Sequence, residues 1–400
     1  MNDSKFELIV GIPSYNEADN ISFVTHQLDS GIKTYFPQLK SLILNTDNHS
    51  PDGTTDIFHS TPTQTPKHSI MTPKGVKGKG HNLINLFQYA QRHSQSLKAV
   101  VVVDADLRSI TPEWIKFLGE PIIKGYDYSL PLYSRHQFDG TITNHICYPL
   151  LYGLLGKNLR QPIGGDYGFS PALMNYWMEQ NQDSAVKNYG IDIYMTLHAI
   201  FGNFQICEVG LGSKVHKAST PKIGPMFTQV VHTLFKILLF NEPQWFTLPV
   251  VKPERPKRFG VQKLSPAPEL GVNIRELKDK LRKEYLHREK LLRKFLNEYA
   301  MSSLKNMVEQ DSYHLDILMW TQLVYQLLFS YHRASFEKRE DIVEALKPLY
   351  FARSVAFDYL TWRYSVKHAE EAIWNQAKAF ASQKPYLLGL YMNERINSLK

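Results

Sequence analysis

Two carboxylates one residue apart, Asp104 and Asp106, flank Ala105 and close a run of four valines, Val100 to Val103. Alternate side chains of an extended chain point the same way, so both acids can turn to one side and share a hard cation, or divide a cation and a ribose. The same pattern also suits a strand whose final Asp caps the next helix. A second cluster, Lys74-Gly75-Val76-Lys77-Gly78-Lys79-Gly80, interleaves three glycines with three lysines. Backbone amides and ammonium groups in such a loop can surround a phosphate, although a flexible solvated loop is the competing reading. The spacing is neither a Walker A sequence nor a G-x-G-x-x-G fingerprint. Asp47, read as exposed at a strand end, could accept hydrogen bonds from a base or ribose. Arg135-His136, the glycine pair Gly164-Gly165 followed by Asp166, Asp192 near a helix start and a single His216 complete the candidates.

The elements that must position these residues follow from periodicity. Valines in succession predict a strand covered on both faces. Phe6 to Ile12 predicts a strand ending in Pro13-Ser14-Tyr15-Asn16-Glu17, with a helix after it. Ser41 to Asn45, His68 to Thr72, Tyr126 to Tyr133 and Phe204 to Leu211 predict further strands. Helices are expected from near His81, from Ser109-Ile110-Thr111-Pro112, across Ile142 to Leu155 against the sheet, and from Asp192 to about Phe201. Strands alternating with helices from Phe6 to Leu211 predict an α/β domain with a mostly parallel sheet, whose ligands belong at the strand carboxyl ends. The expected division is a domain over 1–245, a basic Pro-rich linker over 246–270 and a helical domain over 271–400. Ile274, Leu277, Leu281 and Tyr285 recur at helical spacing there, and long helical stretches continue through Trp320 to Tyr331 and Phe351 to Phe380.

Composition excludes several classes. A hydrophobic content of 43% with 12% aromatics excludes a disordered chain. Cys147 and Cys207 are too far apart for a metal-type pair, a usage that suits a reducing cytoplasm. The net charge of +8 raises nucleic acid as a partner, but no RNA-binding or zinc-finger signature accompanies it, so none is expected. No leader is read at the N-terminus. The most apolar stretch, Val230 to Phe240, carries His232 and Lys236 and is short for a span, so no transmembrane segment is expected.

The order of these features resembles the nucleotide-sugar glycosyltransferases with the GT-A fold, Rossmann-like and mixed but mostly parallel, here followed by an all-α C-terminal extension. More narrowly, Gly78-Lys79-Gly80, Asp104-Ala105-Asp106, Thr111-Pro112-Glu113-Trp114, Arg135-His136, Gln161-Pro162-Ile163-Gly164-Gly165, Tyr189-Gly190-Ile191-Asp192 and Lys214-Val215-His216 resemble the mannosylglycerate synthase and glucosyl-3-phosphoglycerate synthase families, which make compatible-solute glycosides. The likeness covers about residues 6–220.

The resemblance implies a hexose transfer from UDP-glucose or GDP-mannose to a small hydroxy acid, with retention at the anomeric carbon. It also implies Mg²⁺ or Mn²⁺ held by Asp106 and His216, with Asp104 near the ribose or the metal's water shell. Lys79 would neutralise the departing diphosphate. Pro13, Tyr15, Asn16, Glu17, Asp47, Lys77, Gly80 and Ala105 would line the donor. Arg135, Gly164, Gly165, Asp166 and Asp192 would line the acceptor, and a homodimer would be possible. Relatives that use phosphoglycerate follow the paired glycines with an Arg and later a Thr; here Asp166-Tyr167-Gly168 stands instead. A carboxylate there would repel a phosphate, which favours glycerate or a neutral, hydroxyl-rich acceptor. Competing readings are an inverting family 2 type enzyme for a lipid or polysaccharide acceptor, with Asp192 or Asp166 as base, and a non-catalytic nucleotide-sugar sensor.

Overall fold

The computed structural model describes residues 5–93, 95–217, 222–249, 252–263, 274–310 and 312–398. Eight strands form one sheet: β1 (Leu8–Ser14), β2 (Ser41–Asp47), β3 (Lys67–Met71), β4 (Ala99–Val102), β5 (Tyr128–Ser134), β6 (Tyr167–Phe169), β7 (Ile206–Ser213) and β8 (Arg258–Gly260). Their order is β3-β2-β1-β4-β6-β5-β7-β8, and β6 runs antiparallel to both its neighbours while every other pair is parallel. This is the mixed, mostly parallel sheet expected of a GT-A chain.

Helices α1 (Ile21–Tyr35), α2 (Thr54–Ser60), α3 (Lys79–Gln91), α4 (Pro112–Ile123), α5 (Tyr148–Leu155), α6 (Pro171–Glu179) and α7 (Ile191–Phe201) follow in chain order. Period-2 alternation in β1 divides its side chains between two layers. Leu8, Val10 and Ile12 join Val24, Leu28, Trp114 and Leu118 of α1 and α4 in one cluster. Gly11 faces the other layer, where a Cβ would lie 1.9 Å from Leu86 Cδ1 of α3. Only glycine lets α3 sit that close. Each fully buried Leu, Ile or Val contributes about 1.5–3 kcal/mol relative to exposure, so both layers hold the strands firmly.

The chain sorts into two compact units. The sheet unit comprises Met1–Arg135, Gln161–Pro221 and Pro256–Pro268; the helical unit comprises His136–Arg160, Lys222–Arg255 and Glu269–Lys400. This differs from the expected contiguous domains in two respects. Residues 142–155 form a π-turn (Thr143–Cys147) and α5, which belong to the helical unit rather than to the sheet. Inside the expected linker, Arg258–Gly260 pairs with β7 as an edge strand, since an extended Pro-rich segment is well suited to add to an edge. The expected linker residues 250–251 and 264–270 lie outside the described residues.

In the helical unit, α8 (Ile223–Phe240), α9 (Glu242–Phe246), α10 (Ile274–Leu292), α11 (Glu298–Glu309), α12 (Ile317–Arg333), α13 (Arg339–Thr361), α14 (Val366–Ser382) and α15 (Lys384–Ser398) join α5. The spacing of Leu277, Leu281 and Tyr285 is realised as the buried stripe of α10. Phe351 to Phe380 is two helices, because Ser365 caps a new one through the backbone N–H of His368. Among the described residues α8 alone is long and apolar enough to cross a membrane, and it buries Phe227, Val230, Val231, Leu234 and Phe235 within its unit. At position 153 a Cβ would come within 2.7 Å of Phe380 Cβ, so Gly153 lets α5 and α14 touch backbone to backbone.

Candidate active site

The carboxyl ends of β1, β2 and β4 lie side by side, with Ser14 opposite Asp47 and Gly11 opposite Val102. Beyond β4 the chain turns through Asp104, Ala105 and Asp106, and Asn20 fixes that turn by donating from one amide nitrogen to the carbonyls of Ala105 and Leu107, both at 2.8 Å. The β1 loop is stitched to the β2 loop in the same way. Ser50 Oγ accepts from Asn16 N at 2.8 Å, Thr54 Oγ1 from Glu17 N at 2.9 Å, and Asp52 from Ala18 N at 3.0 Å. Asn16 sits at φ 59°, a left-handed conformation that asparagine tolerates. The sequence marks Asn20 only as a helix-capping type and Ser50 not at all, because their partners lie far away along the chain; Asn20 makes no side-chain cap bond.

The centre of the site is a chain of ion pairs. Lys79, at the start of α3, places Nζ 3.1 Å from Asp104 and 3.1 Å from Asp192. Lys214, just past β7 and almost fully buried, places Nζ 3.1 Å from Asp104, 2.7 Å from Asp166 and 2.8 Å from the Gly164 carbonyl. Burial alone would raise the Asp104 carboxyl, but Lys79 and Lys214 outweigh it and hold it well below the usual range. Burial opposes the charge of both lysines, yet the surrounding aspartates keep them above the ordinary lysine value. Asp106 differs: burial first, and then the nearby Asp104, push its carboxyl up. Asp192 is likewise raised, first by burial, and its Oδ1 is buried without a hydrogen-bond partner.

Lys214 stands in one of the motifs singled out by sequence, but its role as an ion-pair centre was missed. Its neighbours Val215 and His216 drew notice, but nothing local marks a lysine as the buried partner of two aspartates far upstream. Lys217 is a second such case, pairing with Glu17 and Asp19 at 2.7 Å each and so tying the end of the β7 segment to the β1 loop.

Several expected donor and acceptor residues are placed otherwise. Asp47 is fully buried rather than exposed; it accepts from Ser14 Oγ at 2.7 Å, Ser50 N at 2.6 Å and Ser50 Oγ at 2.7 Å, so hydroxyls take the positions expected for a nucleoside. Pro13 is the sixth residue of β1 and also buried, so the donor-facing part of its motif begins at Tyr15. Asp166 is buried too, accepting from Tyr133 Oη and from Asp104 N at 2.8 Å besides its pair with Lys214. Enclosed and neutralised, it has no oxygen to offer an acceptor.

The glycines also have internal reasons. A Cβ on Gly80 would meet the Val186 carbonyl at 2.0 Å, and one on Gly165 would meet Asp104 Oδ2 at 2.2 Å, where φ is +96°. Gly164 would strike Pro131 at 2.2 Å. They leave room for a neighbouring helix, an ion pair and a proline. Lys77 and Tyr15 do come together, with Lys77 Nζ donating to Tyr15 Oη at 2.6 Å on the surface. Arg135 lies over the Tyr133 ring, 5.3 Å from its centroid, and its Nη2 is 3.5 Å from the Gly164 carbonyl. The β4 turn and Arg135 therefore stand around the same strands.

A divalent ion fits this arrangement to a defined extent. Among the described residues no three His, Cys, Asp or Glu side chains converge on one point. Both Asp104 oxygens are engaged by lysines, which leaves Asp106, with the His216 imidazole near enough to lower its carboxyl, as the protein's pair. Mg²⁺ and Mn²⁺ commonly take one or two protein ligands and complete their shells with water and substrate phosphate oxygens. The donor set suits that habit.

Comparison with known proteins places the segment. Residues 9–176 match the family model described as glycosyl transferase family 2. No curated protein sequence matches the chain. Similar solved structures include glucosyl-3-phosphoglycerate synthase from Mycobacterium tuberculosis with Mn²⁺, uridine diphosphate and glucosyl-3-phosphoglycerate, at 22% identity and TM-score 0.47, covering 58% of this chain and 80% of that one. The same protein with Mg²⁺ and uridine diphosphate has 23% identity and TM-score 0.46 over 58% and 79%. With Mn²⁺, UDP-glucose and glycerol 3-phosphate it has 22% and 0.45 over 58% and 80%. Likenesses of that size carry no argument about substrates. The family match reaches from β1 through the carboxylate turn and β6, so residues 9–176 are similar to a glycosyl transferase family 2 domain.

Proposed function

We propose that the chain is a metal-dependent hexosyltransferase that passes a hexose from a nucleotide diphosphate sugar, UDP-glucose or GDP-mannose, to a small hydroxy acid such as glycerate. One observation carries this reading: around the β4 turn two lysines, Lys79 and Lys214, face four carboxylates, Asp104, Asp106, Asp166 and Asp192. The excess negative charge calls for a cation, and the carboxylate least compensated, Asp106, stands beside His216. When bound there, a divalent ion would act as a Lewis acid on the leaving diphosphate.

The chain's own residues do the rest. Lys79 is anchored between Asp104 and Asp192 and presents an ammonium at the same turn, where developing phosphate charge can be met without reorganisation. Tyr15 and Lys77 hold the donor's nucleoside end. Arg135, braced on Tyr133, offers a planar fork to an acceptor carboxylate. Asp192 turns its unpartnered oxygen to the acceptor hydroxyl. Because Asp166 is buried and paired, it gives no reason to exclude a phosphorylated acceptor, and 3-phosphoglycerate stands beside glycerate.

Retention at the anomeric carbon, with front-face transfer, is the reading taken from the family resemblance. The unpartnered Asp192 Oδ1 favours a second one, in which that carboxylate takes the acceptor proton during inversion. The test is nucleoside diphosphate release from UDP-glucose and GDP-mannose, with and without Mg²⁺ or Mn²⁺, in the presence of D-glycerate or 3-phosphoglycerate. Metal-dependent release stimulated by one acceptor supports the proposal, and the anomeric proton coupling of the product separates retention from inversion. Donor hydrolysis indifferent to every hydroxy acid would point to a lipid or polysaccharide acceptor instead. Homodimer formation is tested by sedimentation.

A further inference from the structure

β7 ends at Ser213, and the chain runs on through Lys214, Val215, His216 and Lys217 without regular secondary structure. No strand ladder orients the His216 imidazole, so its placement depends on what holds the residues on either side. Val215 is fixed through its backbone. Its N–H donates to Ser109 Oγ at 2.9 Å, and its carbonyl accepts from Arg108 N at 2.8 Å. Lys214 is fixed through its ammonium, on Asp104, Asp166 and the Gly164 carbonyl.

Those anchors precede His216, and Lys217 follows it. Lys217 Nζ lies 2.7 Å from Glu17 Oε2 and 2.7 Å from Asp19 Oδ1, and donates to the Asn16 carbonyl at 3.3 Å. The side chain is 34% exposed, and ion pairs as open as that add little to stability. The effect of this one is geometric: it fastens the far end of the strap that carries His216 to the loop after β1.

That loop faces the carboxylate turn. Burial pushes the Glu17 carboxyl up, Lys217 opposes the rise, and the Asp106 charge adds to it. Asp19 also lies 3.8 Å from Arg108, on the segment after the turn, so loop, turn and strap close into one ring of contacts. Freed of the Lys217 ammonium, Glu17 would become a second carboxylate competing for an ion at Asp106. Mg²⁺ and Mn²⁺ favour a carboxylate oxygen over an imidazole nitrogen. A neutral imidazole in that place leaves the ion a stronger Lewis acid toward a diphosphate.

We infer that Lys217 is a positioning residue of the candidate metal site: it keeps Glu17 out of coordination and sets His216 against Asp106, so that a carboxylate and an imidazole, rather than two carboxylates, receive the ion. The inference rests on the proposed metal-dependent transfer and adds to it the residue that decides which ligands take part.

The experiment loads the full chain with Mn²⁺ and UDP in one sample and with Mn²⁺ and GDP in another, and records the electron spin-echo modulation that a bound imidazole nitrogen imposes on Mn²⁺. The expected result is one nitrogen in the parent chain and its loss in His216→Ala. Lys217→Met and Lys217→Gln are expected to lose it too while still binding Mn²⁺, and Lys217→Arg to keep it. A purely structural ion pair would not move this signal, and circular dichroism melting verifies that the variants fold. Modulation unchanged in both Lys217→Met and Lys217→Gln overturns the inference and leaves the metal reading standing. Modulation absent from the parent with either nucleotide, or persisting in His216→Ala, removes His216 from the ion and overturns both.

Discussion

The two units bury charge in opposite ways. In the sheet unit charges are buried in company: Lys79, Asp104, Lys214, Asp166 and Asp192 form one continuous set of contacts with carboxylate left over. In the helical unit, beside one connected set of Glu284, Arg288, Glu344 and Lys347, three charges are buried singly. Lys384 donates to the carbonyls of Leu154, Trp245 and Leu248 at 3.0, 2.7 and 3.0 Å, and burial pulls its pKa down to about 8. Arg353 donates to the Leu315 carbonyl and to Gln376, each within 2.8 Å, and burial brings it to about 10. Asp358 has no hydrogen-bond partner on either oxygen, and burial raises it to about 8. Lone charges capped by carbonyls or neutralised by a proton hold helices together and need nothing further. A connected set with surplus charge is unfinished until something binds.

That contrast is open to attack from both sides. Asp106→Ala removes surplus charge: the expected loss of metal-dependent diphosphate release is about 10³-fold, or ~4 kcal/mol of barrier, while the melting temperature holds or rises. If the variant melts lower, Asp106 is structural and the contrast fails. Lys214→Met leaves Asp104 and Asp166 without their shared cation and is expected to cost ~3–5 kcal/mol in urea unfolding, as for one partner taken from a buried pair. In the helical unit Lys384→Met orphans three carbonyls and should cost about 2–3 kcal/mol, with no change in the affinity for donor; a changed donor affinity would blur the distinction.

The subtlest test is a pH dependence that comes from Asp358. Its folded pKa, about 8, lies above the ordinary 3.8, so between those values the folded chain holds a proton the unfolded chain lacks. Its contribution is therefore complete below 3.8 and is lost as pH rises toward 8, by at most about 1.4 kcal/mol per pH unit. Asp358→Asn should flatten that part of the stability profile, so that its advantage over the parent chain grows as pH rises from about 4 toward 8, read as the urea midpoint against pH. An unchanged slope would show that the carboxylate has found a partner.

Much of the scaffold was legible. Four valines ending in two aspartates gave the strand and the turn, because local alternation and burial are written in neighbouring residues. Asp104 and Lys79 were found for the same reason, as each sits at the junction of a strand or loop with a helix. What could not be read was pairing at long range. Asp47 looked exposed until Ser14 and Ser50 closed over it, and Asp166 looked available until Lys214 and Tyr133 took its oxygens. Nor does anything inside residues 142–155 say that their apolar faces meet α14 rather than the sheet. Hydrophobic spacing tells how a segment will be buried and leaves open by what.

The chain crosses between its two units after Arg135, Arg160, Pro221, Arg255 and Pro268. During synthesis α5 emerges more than 200 residues before α14, the helix it packs against. At roughly 5–20 residues per second its wholly apolar surface waits ~10–40 s for a partner. A fragment stopped at residue 176 would keep α5 and lack α14, so α5 would stay bare indefinitely and the segment is not a module that can be cut free and expressed alone. Its helical companion is in effect the last chapter of its own folding.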